Sequence, residues 1–195
     1  NTYNAGTASA TDKNGGEVTI EYSADNGATW TTNPGTITAK NVSDSKTIQV
    51  RVTSANYEGS VTGEQKLTIT KREVKLTSAS DEKVYDGTAL TNGTVTVTGD
   101  GFVTGEGASY TVTGSQTNVG KSDNSFTYTL NAGTIANNYT ITTEVGKLEV
   151  KASGEIEKNI TLTTTDVEHK YDGNTYNAGT ASATDKNGGE VTIEY

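Results

Sequence analysis

The first twenty-two residues, Asn1–Tyr22, recur without one substitution as Asn174–Tyr195. Self-similarity at a fixed period is a strong constraint on architecture. Each copy must be able to reach the same local structure and to stack against its neighbours. From residue 1 to residue 174 the period is 173 residues. The identity predicts that the second copy folds as the first does, and that the chain is a window, slightly longer than one period, on a tandem array.

A looser repeat lies inside that period. "KVYDGT" (Lys83–Thr88) is matched by "HKYDGN" (His169–Asn174), and "TNVGKSDNSFTYTL" (Thr117–Leu130) by "KNVSDSKTIQVRVT" (Lys40–Thr53). "ANNYTI" (Ala136–Ile141) is matched by "SANYEG" (Ser54–Gly59). Each unit therefore reads Tyr-Asp-Gly, Asn-Val, an alternating run, then Asn-Tyr. Repeat B spans 72–151 and is complete. Residues 1–71 are a repeat A lacking its opening strand, and 152–195 are the opening part of the next repeat A. Cut in this way, both partial units present sheet edges. The expectation is that neighbouring repeats, or copies of the same chain, complete them.

Period-two alternation dominates within the units. Val18, Ile20 and Tyr22 share one strand face, as do Ile48, Val50 and Val52, then Val95 with Val97, Tyr110 with Val112, and Phe126, Tyr128 and Leu130. Tyr139 with Ile141 continues the pattern. Leu67 with Ile69 and Leu148 with Val150 read as closing strands, Val74 with Leu76 and Ile160 with Leu162 as opening ones. Turn signals separate the runs: "KNGGE", "DNG", "NPG", "GDG" and "NAG". No helical stripe is present. Short strands with turns every 8–12 residues predict an all-β chain of β-sandwich domains.

Composition narrows the function. Fifteen Lys+Arg against 24 Asp+Glu give a net charge of −9, which disfavours a nucleic-acid partner. Neither Cys nor Met occurs, so disulfides and thiolate metal sites are excluded and oxidation has little to attack. That suits an extracellular life. No apolar run reaches the length of a membrane span, so no membrane insertion is expected.

The succession of landmarks resembles the YDG- and MBG-type repeats of bacterial surface proteins and large adhesins. The likeness is clearest at Tyr85, Asp86, Gly87, Asn118, Val119, Gly120, Asn138 and Tyr139. "SANYEGSVTGEQKLTIT" and "VGKSDNSFTYTL" also look like bacterial immunoglobulin-like repeats. Repeat A departs at Ser43, where the pattern has Gly. The resemblance implies tandem Ig-like β-sandwich domains in an elongated array on the bacterial cell surface. It implies a stalk, spacer or fibre role in adhesion and no enzyme activity. The alternative is an adhesin module that binds a host glycan or protein.

The chemistry-bearing stretches have structural readings. "SADNGATW" (Ser23–Trp30) fits the Asp-box pattern: Asp25 caps its own turn, Gly27 takes positive φ and Trp30 packs beneath. "DKNGGE" offers Asp12, Asn14 and Glu17 as a weak calcium candidate. It supplies three or four oxygens where calcium takes six or more, and a plain hairpin turn is the favoured reading. Tyr85-Asp86-Gly87 and Tyr171-Asp172-Gly173 read as turns beside a Tyr ring in the core, not as a catalytic Asp. Asn56-Tyr57 and Asn138-Tyr139 read as an Asn turn followed by a packed Tyr. His169, the one histidine, has no partners for zinc and no nucleophile elbow. Lys75, Lys83, Lys158 and Lys170 lie on or near opening strands; a Lys–Asn isopeptide bond there would need a buried acid beside the pair, which nothing in the sequence establishes, so the bond is the disfavoured reading. No catalytic or cofactor-binding residue is expected.

Overall fold

The alternating runs become short strands, and the turn signals end them. The computed structural model describes residues 1–195, the side chain of Glu157 apart. The chain is all-β, its one α-helical turn being the four-residue Ile156–Asn159. It divides into two compact units. The first comprises Asn1–Val74, Gly99–Glu106 and Gly133–Ile141, and the second Lys75–Thr98, Gly107–Ala132 and Thr142–Tyr195.

In the first unit, β1 (Tyr3–Asn4) pairs antiparallel with β3 (Thr38–Ala39). A second sheet has β2 (Thr19–Ser23), β4 (Lys46–Thr53) and β5 (Val61–Leu67) in that order, both pairs antiparallel. Ile48 and Val50 on β4 are buried and meet Tyr22, Ile37, Ala39 and Leu67 in one core. Gln49 and Arg51 point the other way, as a strand with one wet face requires. The "NPG" turn signal becomes a 3-10 turn, Pro34–Thr36. Asn33 caps it with its side chain accepting from Gly35 N–H, and the fixed φ of Pro34 suits a first helical position.

Strand β6 (Arg72–Ser78) lies between β12 (Tyr139–Glu144) and β8 (Val95–Gly99). In the second unit, β13 (Gly146–Lys151) lies between β10 (Gly120–Asn124), antiparallel to it, and β7 (Asp81–Val84), parallel to it. A further antiparallel pair joins β9 (Ala108–Val112) to β11 (Phe126–Leu130). Asn124 ends β10, is fully buried, and donates from Nδ2 to the carbonyls of Ala79 (2.9 Å) and Asn92 (2.8 Å). Beside it the Ser78 hydroxyl donates to Asn124 O at 2.6 Å and accepts from Gly146 N–H at 2.9 Å. Gly146 allows this closeness, since a Cβ there would lie 2.3 Å from Ala79 O.

The identical copies do not pair identically. "ASATD" is irregular in the first copy, at 8–12, whereas in the second it forms β15 (Ala181–Asp185), paired with β14 (Ile160–Thr164). "TIEY" does the reverse. It belongs to β2 against β4 in the first copy and is irregular at 192–195. A strand is stabilised by its ladder and by the face it buries, so each segment becomes a strand only where a partner lies beside it. Turns need no partner, and they do agree. Asn14 N–H donates to Asp12 Oδ1 and Asn187 N–H to Asp185 Oδ1, both at 2.8 Å, with Gly15 and Gly188 at φ of 81° and 80°. No described residue after Val150 is buried.

Candidate functional site

The recurring landmarks gather into turn-holding clusters. In the first unit the Asn-Val stretch enters a 3-10 turn, Val42–Asp44, whose Asp44 carboxylate accepts from the N–H groups of Lys40 and Asn41. Asn138 lies against it. Its Oδ1 accepts from Val42 N–H at 3.0 Å, and its Nδ2 donates to Asn41 Oδ1 at 3.0 Å. An amide that both gives and receives fixes one orientation, so Asn41, Val42 and Asn138 form a small clamp. Next to Asn138, Tyr139 is 4 % exposed, packs edge-on to Phe102, donates to Glu106 Oε2 (2.7 Å) and accepts from Val103 N–H (3.1 Å). Burial raises its phenol pKa above the usual value, with the Glu106 contacts adding to the rise. These residues line a cleft of about 520 Å3 with Asn1, Tyr3 and Arg72.

Tyr57 in repeat A does the same job less deeply. Its hydroxyl donates to Asp12 Oδ1 (3.1 Å) and accepts from Asn14 Nδ2 (2.7 Å), while the residue stays 52 % exposed. Each Asn-Tyr landmark thus pins a loop through the tyrosine hydroxyl. Asp12 and Asn14 close on one another and on Tyr57, and Glu17 is exposed. Asp12 Oδ2 is buried without a hydrogen-bond partner. Among the described residues no three of His, Cys, Asp and Glu are grouped to hold a metal ion.

Both Tyr-Asp-Gly stretches are Asx turns. Asp86 Oδ1 accepts from Thr88 N–H (2.9 Å) and Lys83 Nζ (2.7 Å), and Gly87 takes φ of 80°. The Lys83 ammonium, then the Thr88 groups, holds the Asp86 carboxyl well below the ordinary carboxylate range. Asp172 Oδ1 accepts from Asn174 N–H at 2.9 Å, with Gly173 at φ of 83° and the Tyr176 hydroxyl on its other oxygen. Tyr176 also stacks on His169, ring centroids 3.7 Å apart. Tyr85 packs on the Leu90, Leu148 and Val150 core. Tyr171 differs from the expected packed ring: it is 99 % exposed, there being no buried cluster around it for the ring to enter.

The Asp-box folds as its spacing dictates. Ser23 Oγ donates to Asp25 Oδ1 (2.7 Å) and accepts from Gly27 N–H (2.8 Å), and Thr29 N–H donates to Asp25 Oδ1 (2.9 Å). Gly27 takes φ of 87°, and its carbonyl accepts from Trp30 Nε1 at 3.0 Å. The Thr29 hydroxyl, then the Thr29 N–H and the Ser23 hydroxyl, pulls the Asp25 pKa down to about 2. Arg51 lies over the Trp30 ring, 4.2 Å from its centroid, and is held there by Glu21 at 2.7 Å.

Asp25, Asp86 and Asp172 are thus acceptors held by their own turns, and the bonds they receive lower each carboxyl pKa, the opposite of the rise that a general acid working near neutral pH needs. Lys75, Lys83 and Lys158 pair with Glu144, Asp86 and Glu155. Two features went unread in the sequence. The Asn41–Asn138 clamp was signalled by both landmarks recurring, but not their meeting. Asn124 carried no signal beyond a polar residue between two alternating runs. No protein-family model, no curated protein and no solved structure matches the chain.

Proposed function

We propose that the chain is part of the structural stalk, spacer or fibre-forming region of a bacterial cell-surface adhesin. It is built as an elongated array of tandem Ig-like β-sandwich repeats and serves a mechanical rather than a catalytic role. The observation that carries the reading is where the landmark residues spend their polar groups. Asp25, Asp86, Asn138 and Tyr139 all hold turns or join one repeat motif to another. The likeness of the landmarks to the YDG- and MBG-type repeats points the same way.

A stalk works by summation: each repeat has a small core, and neighbouring repeats couple end to end. The longest strands have 7 to 8 residues, which at about 3.3 Å each span about 23–26 Å; with the turns at both ends a repeat reaches roughly 30–40 Å, and hence roughly 60–80 Å for each period. Mild protease treatment of intact, unlysed source cells tests the location. Peptides from this chain should be released by the treatment. Their appearance only after lysis would refute a cell-surface stalk.

A further inference from the structure

The turn clusters occur twice, and one side of the second cluster is bare. In the first, Asn41 and Val42 clamp Asn138, and Asn1 and Tyr3 line the same cleft as the 102–106 loop residues Phe102 and Glu106. The ladder preceding the Asn-Val pair matches in the two repeats. Tyr3 pairs with Ala39 two residues before Asn41, and Leu90 bridges Gln116 two residues before Asn118. Asn118 and Val119 therefore occupy, in repeat B, the place of Asn41 and Val42. The backbone beyond differs, because Ser43 lies in a 3-10 turn while Gly120, at φ of 141°, opens β10.

Part of the equivalent contact is already present in the second unit. The Asx turn of Tyr85–Gly87 lies against the second copy of the "DKNGG" loop. A Cβ on Gly87 would fall 1.8 Å from Asn187 O, and one on Gly189 would fall 2.6 Å from the Tyr85 hydroxyl. What this second cluster does not have is an Asn-Tyr turn seated on Asn118 and Val119. Asn118 is exposed and Val119 is 56 % exposed. In repeat A the Asn-Tyr turn is free on its outer side, with Asn56 exposed and Tyr57 half exposed.

We infer that Asn118 and Val119 form a docking site for the Asn56-Tyr57 turn of a repeat A from another copy of this chain segment. Asn56 takes the part of Asn138 there: its amide receives from Val119 N–H and gives to Asn118 Oδ1, and the half-exposed Tyr57 and Val119 cover one another. Association of this kind is head-to-tail and does not close, so it propagates along a fibre. The inference deepens the stalk reading and rests on it.

The absence of cysteine makes the test clean. Chains carrying Ala55→Cys are mixed with chains carrying Thr117→Cys, both exposed neighbours that leave the docking residues intact, and treated with a short bis-maleimide. Ala55→Cys mixed with Ala132→Cys is the control, since Ala132 is exposed and outside every landmark. The first mixture should cross-link about tenfold faster than the control, the ratio that about 1.4 kcal/mol of seating would give. Adding Asn118→Ala to the Thr117→Cys chain should return the rate to the control value. The double variant Lys40→Cys/Asn137→Cys, which keeps Asn41 and Asn138, should close within one chain and verifies the parent clamp. Equal rates in the two mixtures overturn the docking site, whether or not the parent clamp closes. Chain dimensions in solution test the stalk reading separately. Rod-like dimensions with control-rate cross-linking remove the docking site alone, and compact dimensions with fast cross-linking remove the stalk alone.

Discussion

Replacing Asn124 by alanine removes an amide whose Nδ2 serves two carbonyls, those of Ala79 and Asn92, from a side chain with no solvent exposure. Each bond contributes about 1 kcal/mol net, and an acceptor left unpaired costs about 1–3 kcal/mol. Ala79 and Asn92 are only half-buried, so water can reach part of what is lost. Asn124→Ala should therefore cost about 2–4 kcal/mol, the upper end including the small cavity that remains. Asn124→Asp is the sharper variant. It keeps the shape but turns a carboxylate oxygen toward the two carbonyls, and burial raises its folded-state pKa. Its destabilisation should be least below the unfolded carboxyl value of about 3.9 and should grow as pH rises above it. Urea unfolding at several pH values reads both variants, with exposed Asn137→Ala expected within about 0.5 kcal/mol of the parent. An Asn124→Asp chain as stable at neutral pH as Asn124→Ala would refute the donor role assigned to Nδ2.

Gly146→Ala should cost about 1–3 kcal/mol, because its Cβ meets backbone atoms that cannot give way. Gly93→Ala, with nothing within 4 Å, should be neutral or slightly stabilising in the same urea titration. The depressed pKa of Asp25, about 2 against an ordinary 3.8, contributes stability that is complete above the ordinary value and is lost as pH falls through the folded one. Asp25→Asn should flatten the acid limb of repeat A unfolding between about pH 4 and pH 2, followed by fluorescence of Trp30, the single tryptophan. Arg51→Ala should cost about 0.5–1 kcal/mol and shift Trp30 emission to the red, as the ring loses its cationic cover.

Much of this chain was legible because its signals are local. Alternation placed β4 and put Ile48 and Val50 inside, and the Asp-box spacing located the turn that Ser23, Asp25 and Gly27 make. Turns close within a few residues and carry their own hydrogen bonds, so "DKNGG" folds alike at both ends of the chain. Ladders need something far away. The identical segment 1–22 and 174–195 therefore pairs through different stretches, which identity of sequence could not foretell. Tyr139 and Tyr57 share a motif yet differ in burial, since Phe102 covers one and nothing equivalent covers the other. Asn124 was invisible for a related reason: a buried amide is defined by the carbonyls around it, which belong to residues more than thirty positions away.

Small-angle X-ray scattering from the 195-residue chain in dilute solution tests the stalk reading most directly. A single compact globule of this length would have a radius of gyration of about 16 Å. Repeats set end to end, at roughly 60–80 Å for each period, predict about 25 Å and a pair-distance distribution with a long tail. A value near 16 Å with a symmetric distribution would contradict the account.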